Sequence, residues 1–338
     1  IMNILTNISL KEMNSFQIDI KSKLFVAISN NSDIKNLLIS DEFTNNQHLI
    51  LGEGSNILFT KDFNGIIIKN NIVGKDIIFE NKTHTIVKVG AGENWHAFVL
   101  WAIQNNLSGI ENMALIPGNV GSAPIQNIGA YGMEIKNVID KVWAINLETR
   151  KEIVFENKDC LFKYRSSIFK TSLKNKVIIT HVSIKLSKQH KYNTKYGEIE
   201  KEIKTMGNKI SISNIAQAVI NIRKRKLPDP KIIGNSGSFF KNPIISKKKL
   251  LHLKKKYPKI ISYKTEKLSY KIAAGWLIEN CGWKGFREKD YGVHKKQALV
   301  IVNYGKASGL EILDLSKKIQ KSVKNKFDIE LVPEVNII

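Results

Sequence analysis

Short apolar segments separated by glycine-bearing turns run through much of this chain. In residues 47–60, QHLILGEGSNILFT, apolar β-forming residues flank Gly52 and Gly54, which predicts a strand, a glycine turn and a second strand. Further short strands are predicted at 65–69, 77–80, 85–89, 141–147 and 177–186. The pattern indicates a protein built largely from short strands.

Helical spacing of apolar residues appears in three longer segments, 95–105, 211–226 and 308–327. The helix over 211–226 is expected to end before Leu227-Pro228, since proline disfavours helix in the residue that precedes it. A domain boundary is placed there. The residues predicted to face the core are Trp95, Val99, Ala102 and Ile103 in the first helix, Ile212, Ile215, Ala216, Val219 and Ile222 in the second, and Leu310, Leu313, Leu315, Ile319 and Val323 in the third. A short apolar strand, interrupted by Pro333-Glu334, is predicted over 329–338.

The composition favours a soluble, cytoplasmic protein of more than one domain. A chain of 338 residues is long for a single core, and 43% of its residues are apolar. No run of about 18 apolar residues predicts a membrane span, and residues 1–10 do not read as a secretory signal. Two distant cysteines, Cys160 and Cys281, argue against a disulfide framework and suit a reducing compartment.

The formal net charge of +23 raises the alternative of a nucleic-acid-binding protein. Only five of the 53 basic residues are arginine, and the lysines are spread over nearly the whole chain. Arginine dominates sequence-specific base recognition, so this distribution favours a solvated lysine-rich surface over a nucleic-acid partner. A DNA-binding protein would show steeply salt-dependent binding, which would decide between the two interpretations.

The most distinctive segment is 116–132, IPGNVGSAPIQNIGAYG, with four glycines in its last fifteen residues. Glycine permits close backbone approach, so successive amides in such a segment can converge on an anion. The spacing matches neither GxGxxG nor GxxxxGK[ST], which argues against a Rossmann fold and a P-loop. A tight surface loop is the alternative, and the second glycine turn, at 52–56, favours two segments approaching one ligand.

These segments resemble the family of UDP-N-acetylenolpyruvoylglucosamine reductases, in the longer form that carries a tyrosine-bearing loop. The resemblance continues through YRSSIFK (164–170), KLPDPK (226–231), GNSGSFFKNP (234–243), AAGWLIENCGWKG (273–285) and HKKQALVIVN (294–303) to PEV (333–335). It implies an α+β fold with a flavin-binding domain of the vanillyl-alcohol oxidase-like (PCMH) type and a C-terminal α+β substrate domain. The implied division is 1–70 with 329–338 and 71–226 as two FAD-binding subdomains, and 227–328 as the substrate-binding domain.

The resemblance also implies the reaction. UDP-N-acetylglucosamine enolpyruvate would be reduced to UDP-N-acetylmuramate, a peptidoglycan precursor, with non-covalent FAD as cofactor and NADPH as co-substrate. The implied catalytic residues are Arg165, Ser238 and Glu334. The implied cofactor-binding residues are Gly52, Gly54, Ser55, Asn56, Ile116, Pro117, Gly118, Gly121, Ser122, Gln126, Asn127, Gly129 and Tyr131. The implied substrate-binding residues are Tyr196, Lys226, Asn242, Tyr263, Lys284 and Gln297.

The catalytic residues have unequal support from their own chemistry. Arg165 can hold a carboxylate bidentately and stabilise charge on it. Ser238 has no GxSxG context, and the resemblance implies that it protonates the carbon beside the carboxylate. Glu334 reads as a solvated edge-strand residue, and only the resemblance gives it a role beside the flavin. Two departures from the family pattern are Ser15 and Ser166, the second standing where an acidic residue is usual.

Other classes of site have less support. The seven histidines lack HxxxH or HxH spacing and a nearby cysteine, so no metal site is predicted, and His96 is interpreted as a packing or hydrogen-bonding residue. Another flavoenzyme of the same fold, with covalent FAD, stays an alternative. A monomer without membrane or nucleic-acid partners is expected.

Overall fold

The computed structural model of the chain describes residues 3–265 and 268–338. Within them lie eight α-helices and twenty strands, numbered in chain order. The helices are α1 (Asn31–Leu37), α2 (Asp41–Thr44), α3 (Trp95–Gln104), α4 (Ile199–Thr205), α5 (Ile212–Lys226), α6 (Lys247–Lys256), α7 (Ala274–Asn280) and α8 (Gly309–Phe327). The strands are β1 (Leu5–Ser9), β2 (Lys21–Ile28), β3 (His48–Leu51), β4 (Ile57–Leu58), β5 (Phe63–Asn70), β6 (Lys75–Glu80), β7 (His84–Gly90), β8 (Gly129–Ala130), β9 (Met133–Glu134), β10 (Ile139–Asn146), β11 (Glu152–Glu156), β12 (Val177–Ser187), β13 (Gly234–Ser238), β14 (Ile244–Ser246), β15 (Ser262–Lys264), β16 (Ser269–Ile272), β17 (Arg287–Glu288), β18 (Tyr291–Val293), β19 (Val300–Asn303) and β20 (Asn336–Ile337).

The chain divides into two compact units. The first unit comprises the N-terminal residues through Ile8, Lys21–Gly54 and Phe63–Arg225. The second unit comprises Ser9–Ile20, Ser55–Asp62 and Lys226–Ile338. Two short N-terminal segments are thus part of the same unit as the C-terminal third of the chain. The predicted three-domain division stays a prediction, although its boundary at 226 lies one residue from the break between Arg225 and Lys226.

The first unit contains a four-stranded sheet in the order β1-β2-β5-β3. Strand β5 pairs in parallel with both β2 and β3. Its consecutive residues Ile66, Ile67 and Ile68 are all fully buried. Consecutive burial means that both faces of the sheet are covered at β5, which explains why its sequence is an apolar run rather than an alternating pattern.

A five-stranded antiparallel sheet, in the order β11-β10-β12-β7-β6, forms the second layer of the first unit. Its long central strand β12 pairs with β7 so that His181 lies opposite Gly90. The chain leaves β7 through the turn Gly90-Ala91-Gly92 and enters α3, where the Asn94 side chain accepts a hydrogen bond from the Ala97 amide as the N-cap. Helix α3 buries Trp95, Phe98, Val99 and Ala102, which are part of the main core of this unit.

The second unit is more sheet-rich than the sequence analysis predicted. Strands β13-β19-β18-β17 form one sheet and β14-β16-β15 another, while β4 pairs in parallel with β20 near the C-terminus. Short strands of two to five residues carry too few alternating positions to be recognised without their partners. The predicted strand over 329–338 was too long, because only β20 pairs regularly.

The three predicted helices are confirmed as α3, α5 and α8, within one residue of their predicted bounds. All five core residues predicted for α5 are buried. The stripe predicted for α8 was wrong at Leu310, which is 55% exposed, and it omitted Ile312 and Phe327, which are buried. The error arises because Ser308 caps the helix and starts it at Gly309, so Leu310 lies in the first turn and faces outward.

The described residues contain no helix that is both long and apolar enough to cross a membrane. In this part of the chain no three His, Cys, Asp or Glu side chains are grouped to hold a metal ion. Both cysteines are free thiols, and burial raises the pKa of Cys160 to about 12.

Candidate active site

The glycine-rich segment packs its backbone directly against the turn that follows β7. The amide of Gly121 donates to the Ala91 carbonyl at 2.9 Å, and the amide of Val120 donates to the Glu93 carbonyl at 2.8 Å. A Cβ atom at Gly121 would lie 2.5 Å from the Cβ of Ala91, so no other residue fits without a backbone shift. Packing therefore requires this glycine, whatever else the segment binds.

The second glycine turn is joined to the same segment through Glu53. Its carboxylate accepts a hydrogen bond from the Gly118 amide at 2.9 Å and another from Asn94 Nδ2 at 2.5 Å. On the other side, Lys69 Nζ donates to the Gly52 carbonyl. Burial lowers the pKa of Lys69, and the neighbouring Glu53 carboxylate opposes that shift. Gly52 and Gly54 thus lie beside 116–132, as the sequence predicted, while their shared ligand stays a prediction.

Asn119 leaves a polar atom unsatisfied between these turns. Its Nδ2 donates to the Gly92 carbonyl at 2.6 Å, but its buried Oδ1 has no hydrogen-bond partner in the described residues. A Cβ atom at Gly52 would lie 2.7 Å from that oxygen. An unpaired buried acceptor costs about 1–3 kcal/mol, so a donor from outside the chain is expected there. A donor group of a bound FAD would satisfy this oxygen, and the missing side chain at Gly52 avoids a clash with it.

Asn127 connects the glycine-rich segment to two other loops. It is fully buried, its Nδ2 donates to Glu134 Oε2 at 3.0 Å and to the Lys163 carbonyl at 3.1 Å, and its Oδ1 accepts from the Lys136 amide at 3.1 Å. The sequence analysis assigned Asn127 to cofactor binding. With both amide hydrogens donated to protein partners, its side chain fixes the shape of the segment, and its role in cofactor binding stays a prediction.

Arg165 lies at the tip of a tight turn closed by reciprocal backbone hydrogen bonds between Lys163 and Ser166. It adopts a left-handed φ of 52°, a region that non-glycine residues rarely enter and that is concentrated at functional sites. Its Nη2 donates to the Gly129 carbonyl at 2.7 Å and its Nη1 to the Asn127 carbonyl at 3.5 Å. The guanidinium is therefore held against the predicted flavin segment of the same unit.

The tyrosine-bearing loop contacts the end of the glycine-rich segment. Asn112 is buried and its Nδ2 donates to the carbonyls of Tyr131 and Asn193, at 3.1 and 2.8 Å. Tyr196 is exposed, and a Cβ atom at Gly132 would lie 3.3 Å from its own Cβ. Burial raises the pKa of Tyr131, while Arg223 opposes the shift. Tyr131 and Tyr196 thus lie on neighbouring turns of the first unit.

Ser238 belongs to the second unit, at an irregularity in the β13–β19 pairing. The register shifts between Asn235 and Ser238, and Gly237 takes a φ of 71°. Asn235 is buried and shapes this turn, since its Oδ1 accepts from the Gly237 amide at 2.9 Å. Ser238 is exposed, and its hydroxyl makes no hydrogen bond within residues 3–265 and 268–338. The bulge therefore presents a free hydroxyl on a fixed backbone.

Glu334 runs beside Ser238 in the same unit. Its amide donates to the Phe239 carbonyl at 2.8 Å, and its carbonyl accepts from Asn56 Nδ2 at 3.2 Å. The Asn56 carbonyl in turn accepts the Asn336 amide at 3.0 Å. Asn56, predicted to bind the cofactor, thus clamps the backbone on both sides of Glu334. The proline and glutamate that interrupt the last strand are fixed by these contacts.

The remaining predicted residues are divided between the units. Of the substrate-binding set, Tyr196 lies in the first unit and the other five lie in the second. Asn242 Oδ1 accepts the Ala274 amide at 2.9 Å at the start of α7, and Lys284 Nζ lies 2.8 Å from Glu279 Oε1. Tyr263, in β15, is exposed. Of the cofactor-binding set, Ser55 and Asn56 lie in the second unit and the rest in the first.

Sequence reasoning missed the residues that support these loops, chiefly Glu53, Asn112, Asn119 and Arg223. Arg223 Nε donates to the Leu115 carbonyl at 3.2 Å, directly before the glycine-rich segment. One signal was available in the sequence: Arg223 is one of only five arginines in a chain whose basic residues are otherwise lysine.

The comparisons with known proteins agree with this geometry. Residues 22–149 match the FAD binding domain family, and residues 229–338 match the C-terminal domain of UDP-N-acetylenolpyruvoylglucosamine reductase. Curated proteins of that name from Flavobacterium johnsoniae and Amoebophilus asiaticus are 49% and 45% identical, each over the full length of both chains. A crystal structure of the reductase from Thermus caldophilus aligns with a TM-score of 0.70 at 21% identity, covering 100% of this chain and 99% of that one.

The flavin-binding domain match and the glycine-lined segments define a FAD-dependent oxidoreductase, and the predicted α+β fold class is confirmed. The 49% sequence identity to the Flavobacterium johnsoniae protein over the whole length then establishes the family. The chain belongs to the UDP-N-acetylenolpyruvoylglucosamine reductase family.

Proposed function

We propose that this chain reduces UDP-N-acetylglucosamine enolpyruvate to UDP-N-acetylmuramate, a precursor of peptidoglycan, at the expense of NADPH. The observation that carries the proposal is the pairing of a FAD-binding domain match over 22–149 with a reductase C-terminal domain match over 229–338 in one chain. When bound, FAD supplies the redox chemistry by accepting hydride from NADPH and passing it to the terminal vinyl carbon. The protein contributes binding, orientation and charge stabilisation.

Arg165 is the proposed partner of the substrate carboxylate. Hydride addition to the vinyl carbon sends negative charge toward the adjacent carbon and its carboxylate. A guanidinium stabilises that charge with two parallel hydrogen bonds. The Lys163–Ser166 turn supports this role. It holds Arg165 at a positive φ, and the guanidinium is oriented by its hydrogen bond to the Gly129 carbonyl. Ser166 stands where the family usually has an acidic residue, and its backbone still closes this turn.

Ser238 is the proposed proton donor. A hydroxyl is a weak acid, so it protonates only a strongly basic carbon such as that of an enolic intermediate. Its proton completes the reduction, giving one new C–H bond from hydride and one from the hydroxyl, and solvent restores the serine. The free hydroxyl on the β13 bulge supports this role, since no protein acceptor competes for its proton within the described residues.

Glu334 is proposed to assist the same intermediate through its carboxyl group. Its backbone is fixed by the Phe239 and Asn56 contacts, so the position of its side chain is tied to the bulge that carries Ser238.

The proposed substrate contacts are Tyr196, Lys226, Asn242, Tyr263, Lys284 and Gln297. The region 227–328 is the proposed substrate-binding domain, and the two free thiols suit the proposed cytoplasmic location of a monomeric enzyme.

The proposal is tested by separating the two half-reactions under anaerobic conditions. NADPH should bleach the yellow flavin absorbance, and UDP-N-acetylglucosamine enolpyruvate should then restore it. Restoration no faster than with buffer would reject the substrate assignment.

Ser238→Ala is expected to leave bleaching by NADPH unchanged and to slow restoration by about 10²–10⁴-fold, the usual contribution of a general acid. Ser236→Ala is the matched control, because its buried hydroxyl has no partner and lies two residues away in the same turn. Equal loss in both half-reactions for Ser238→Ala would show that the serine is structural.

A further inference from the structure

The tyrosine-bearing loop, residues 188–198, connects β12 to α4 in the first unit. Its end packs on the glycine-rich segment, since a Cβ atom at Gly197 would lie 3.5 Å from Cδ1 of Tyr131, and Gly197 takes a φ of 71°. Thr194 is buried, and its hydroxyl donates to Glu200 Oε1 in the first turn of α4 at 2.7 Å. The tyrosine of the loop lies between these two contacts, so its position depends on where α4 is held.

Helix α4 is too short to hold this position by itself. It has seven residues, and of these only Ile199 and Ile203 are buried. At its N-terminus, the side chain of Glu198 makes no capping hydrogen bond. Isolated helices shorter than about 12 residues are marginal in water, so α4 depends on its contacts with neighbouring elements.

Arg225, at the end of α5, supplies such a contact. Its Nη2 lies 2.9 Å from Glu202 Oε2 and 3.6 Å from Glu198 Oε2. The Glu202 side chain is 12% exposed, and the hydrogen bond from Arg225 is the main cause that lowers its pKa, while burial opposes the shift and Asn221 adds to it. Asn221 Oδ1 in turn accepts from Gln217 Nε2 at 2.8 Å. A row of three polar side chains, four residues apart on α5, thus reaches the start of α4.

We propose that Arg225 is a positioning residue for the reaction: its ion pairs with Glu202 and Glu198 fix α4 to α5 and so hold Tyr196 in place for the UDP substrate. This inference rests on the proposed function, in which Tyr196 contacts that substrate. Arg225 acts through α4 and is not one of the catalytic residues. Exposed ion pairs usually shift an equilibrium by up to about fivefold, and the low exposure of Glu202 places this pair near that limit.

The experiment compares the FAD-bound protein with two charge reversals, Arg225→Glu and Glu202→Arg, and with the double variant that exchanges both charges. Each single reversal places like charges together, whereas the double variant restores an ion pair between α4 and α5. Lys224→Glu is the matched control, because Lys224 is exposed on the same helix and has no ion pair within the described residues. Circular dichroism confirms that each variant is folded.

Two properties of each variant are measured. The first is the rate at which chymotrypsin cleaves after Tyr192 and Tyr196, both exposed, without the UDP substrate, with each site identified by mass spectrometry. When cleavage is slower than reclosure, this rate reports the fraction of molecules in which the loop is displaced. The second is the pair of constants kcat and KM for the UDP substrate. Because cleavage requires no turnover, failure of the proposed reaction can be told apart from failure of this inference.

Both single reversals should raise the cleavage rate about tenfold, because repulsion replaces attraction, and should raise KM about threefold or more with kcat within about twofold. The double variant should return the cleavage rate and KM close to their wild-type values, and Lys224→Glu should leave the cleavage rate unchanged. Glu202→Arg makes the protein more positive, so long-range attraction of the anionic substrate alone would lower KM in that variant.

The proposal is overturned if neither single reversal raises cleavage above that of Lys224→Glu, or if the double variant is as defective as the single ones. Increased cleavage with a wild-type KM would also overturn it, as would a lower KM in Glu202→Arg. If the wild-type protein does not turn over the UDP substrate, the proposed function fails, and the cleavage rates still decide whether Arg225 holds the loop. If Arg225→Glu does not fold, Glu202→Arg and the double variant decide.

Discussion

Replacing Asn127 is expected to destabilise the first unit more than any single surface change, because three hydrogen bonds meet at its buried side chain. Asn127→Ala removes the bonds to Glu134, to the Lys163 carbonyl and to the Lys136 amide. At about 1 kcal/mol net for each, the loss is about 3 kcal/mol. Asn127 also has a φ of 48°, where alanine costs about 1 kcal/mol more than asparagine. The expected total is about 4 kcal/mol.

Two further variants separate these contributions. Asn127→Gly loses the same hydrogen bonds without the left-handed penalty, so it is expected to be about 1 kcal/mol less destabilising than the alanine variant. Asn175→Ala is the matched control for the backbone alone, because Asn175 has a φ of 59° and is exposed. It should cost about 1 kcal/mol.

The assay is urea unfolding of the FAD-free protein followed by far-ultraviolet circular dichroism, with the FAD dissociation constant measured separately. Asn127→Ala should also weaken FAD binding, since Asn127 positions the segment from Gly129 to the Lys163–Ser166 turn. If Asn127→Ala proves no more destabilising than Asn175→Ala, the three side-chain hydrogen bonds of Asn127 contribute nothing and the positioning argument fails.

Two other outcomes follow from the same contacts. Gly121→Ala should destabilise the protein by about 1–3 kcal/mol and weaken FAD binding, because its Cβ would lie 2.5 Å from that of Ala91; a variant with wild-type unfolding and FAD affinity would contradict the packing argument. Lys249 and Lys324 depress the pKa of Asp328 to about 2 from 3.8, so its contribution to stability is present above about pH 4 and is lost as the pH falls toward 2. Asp328→Asn, which tolerates the φ of 50° at this helix C-cap, should therefore lower the melting temperature slightly at pH 7 and low salt, and the difference from wild type should shrink between pH 4 and pH 2. A difference that is independent of pH would show that the charge has no role.

Patterns that depend on local spacing were readable from the sequence. The amphipathic stripe of α5 was predicted in full, because a helix of fifteen residues offers several turns over which apolar positions repeat. The glycine turns at 52–54 and 116–132 were equally visible, since glycine is needed wherever two backbones approach closely. The family followed from the order of motifs along the chain, while the catalytic role of Arg165 stays a prediction.

What tertiary structure decided was the partner of each polar group. Nothing in the sequence distinguishes Asn127 from an asparagine that binds a ligand. Only the fold shows that its side-chain amide is hydrogen-bonded to Glu134 and two backbone groups. Arg223 and Arg225 are indistinguishable in sequence, yet Arg225 is exposed and paired while Arg223 is partly buried and has no carboxylate beside it in the described chain. Strand β4 gains its partner β20 almost 280 residues away. Local sequence specifies which groups can bond, but burial and distance decide which of them still need a partner, and those are properties of the folded chain.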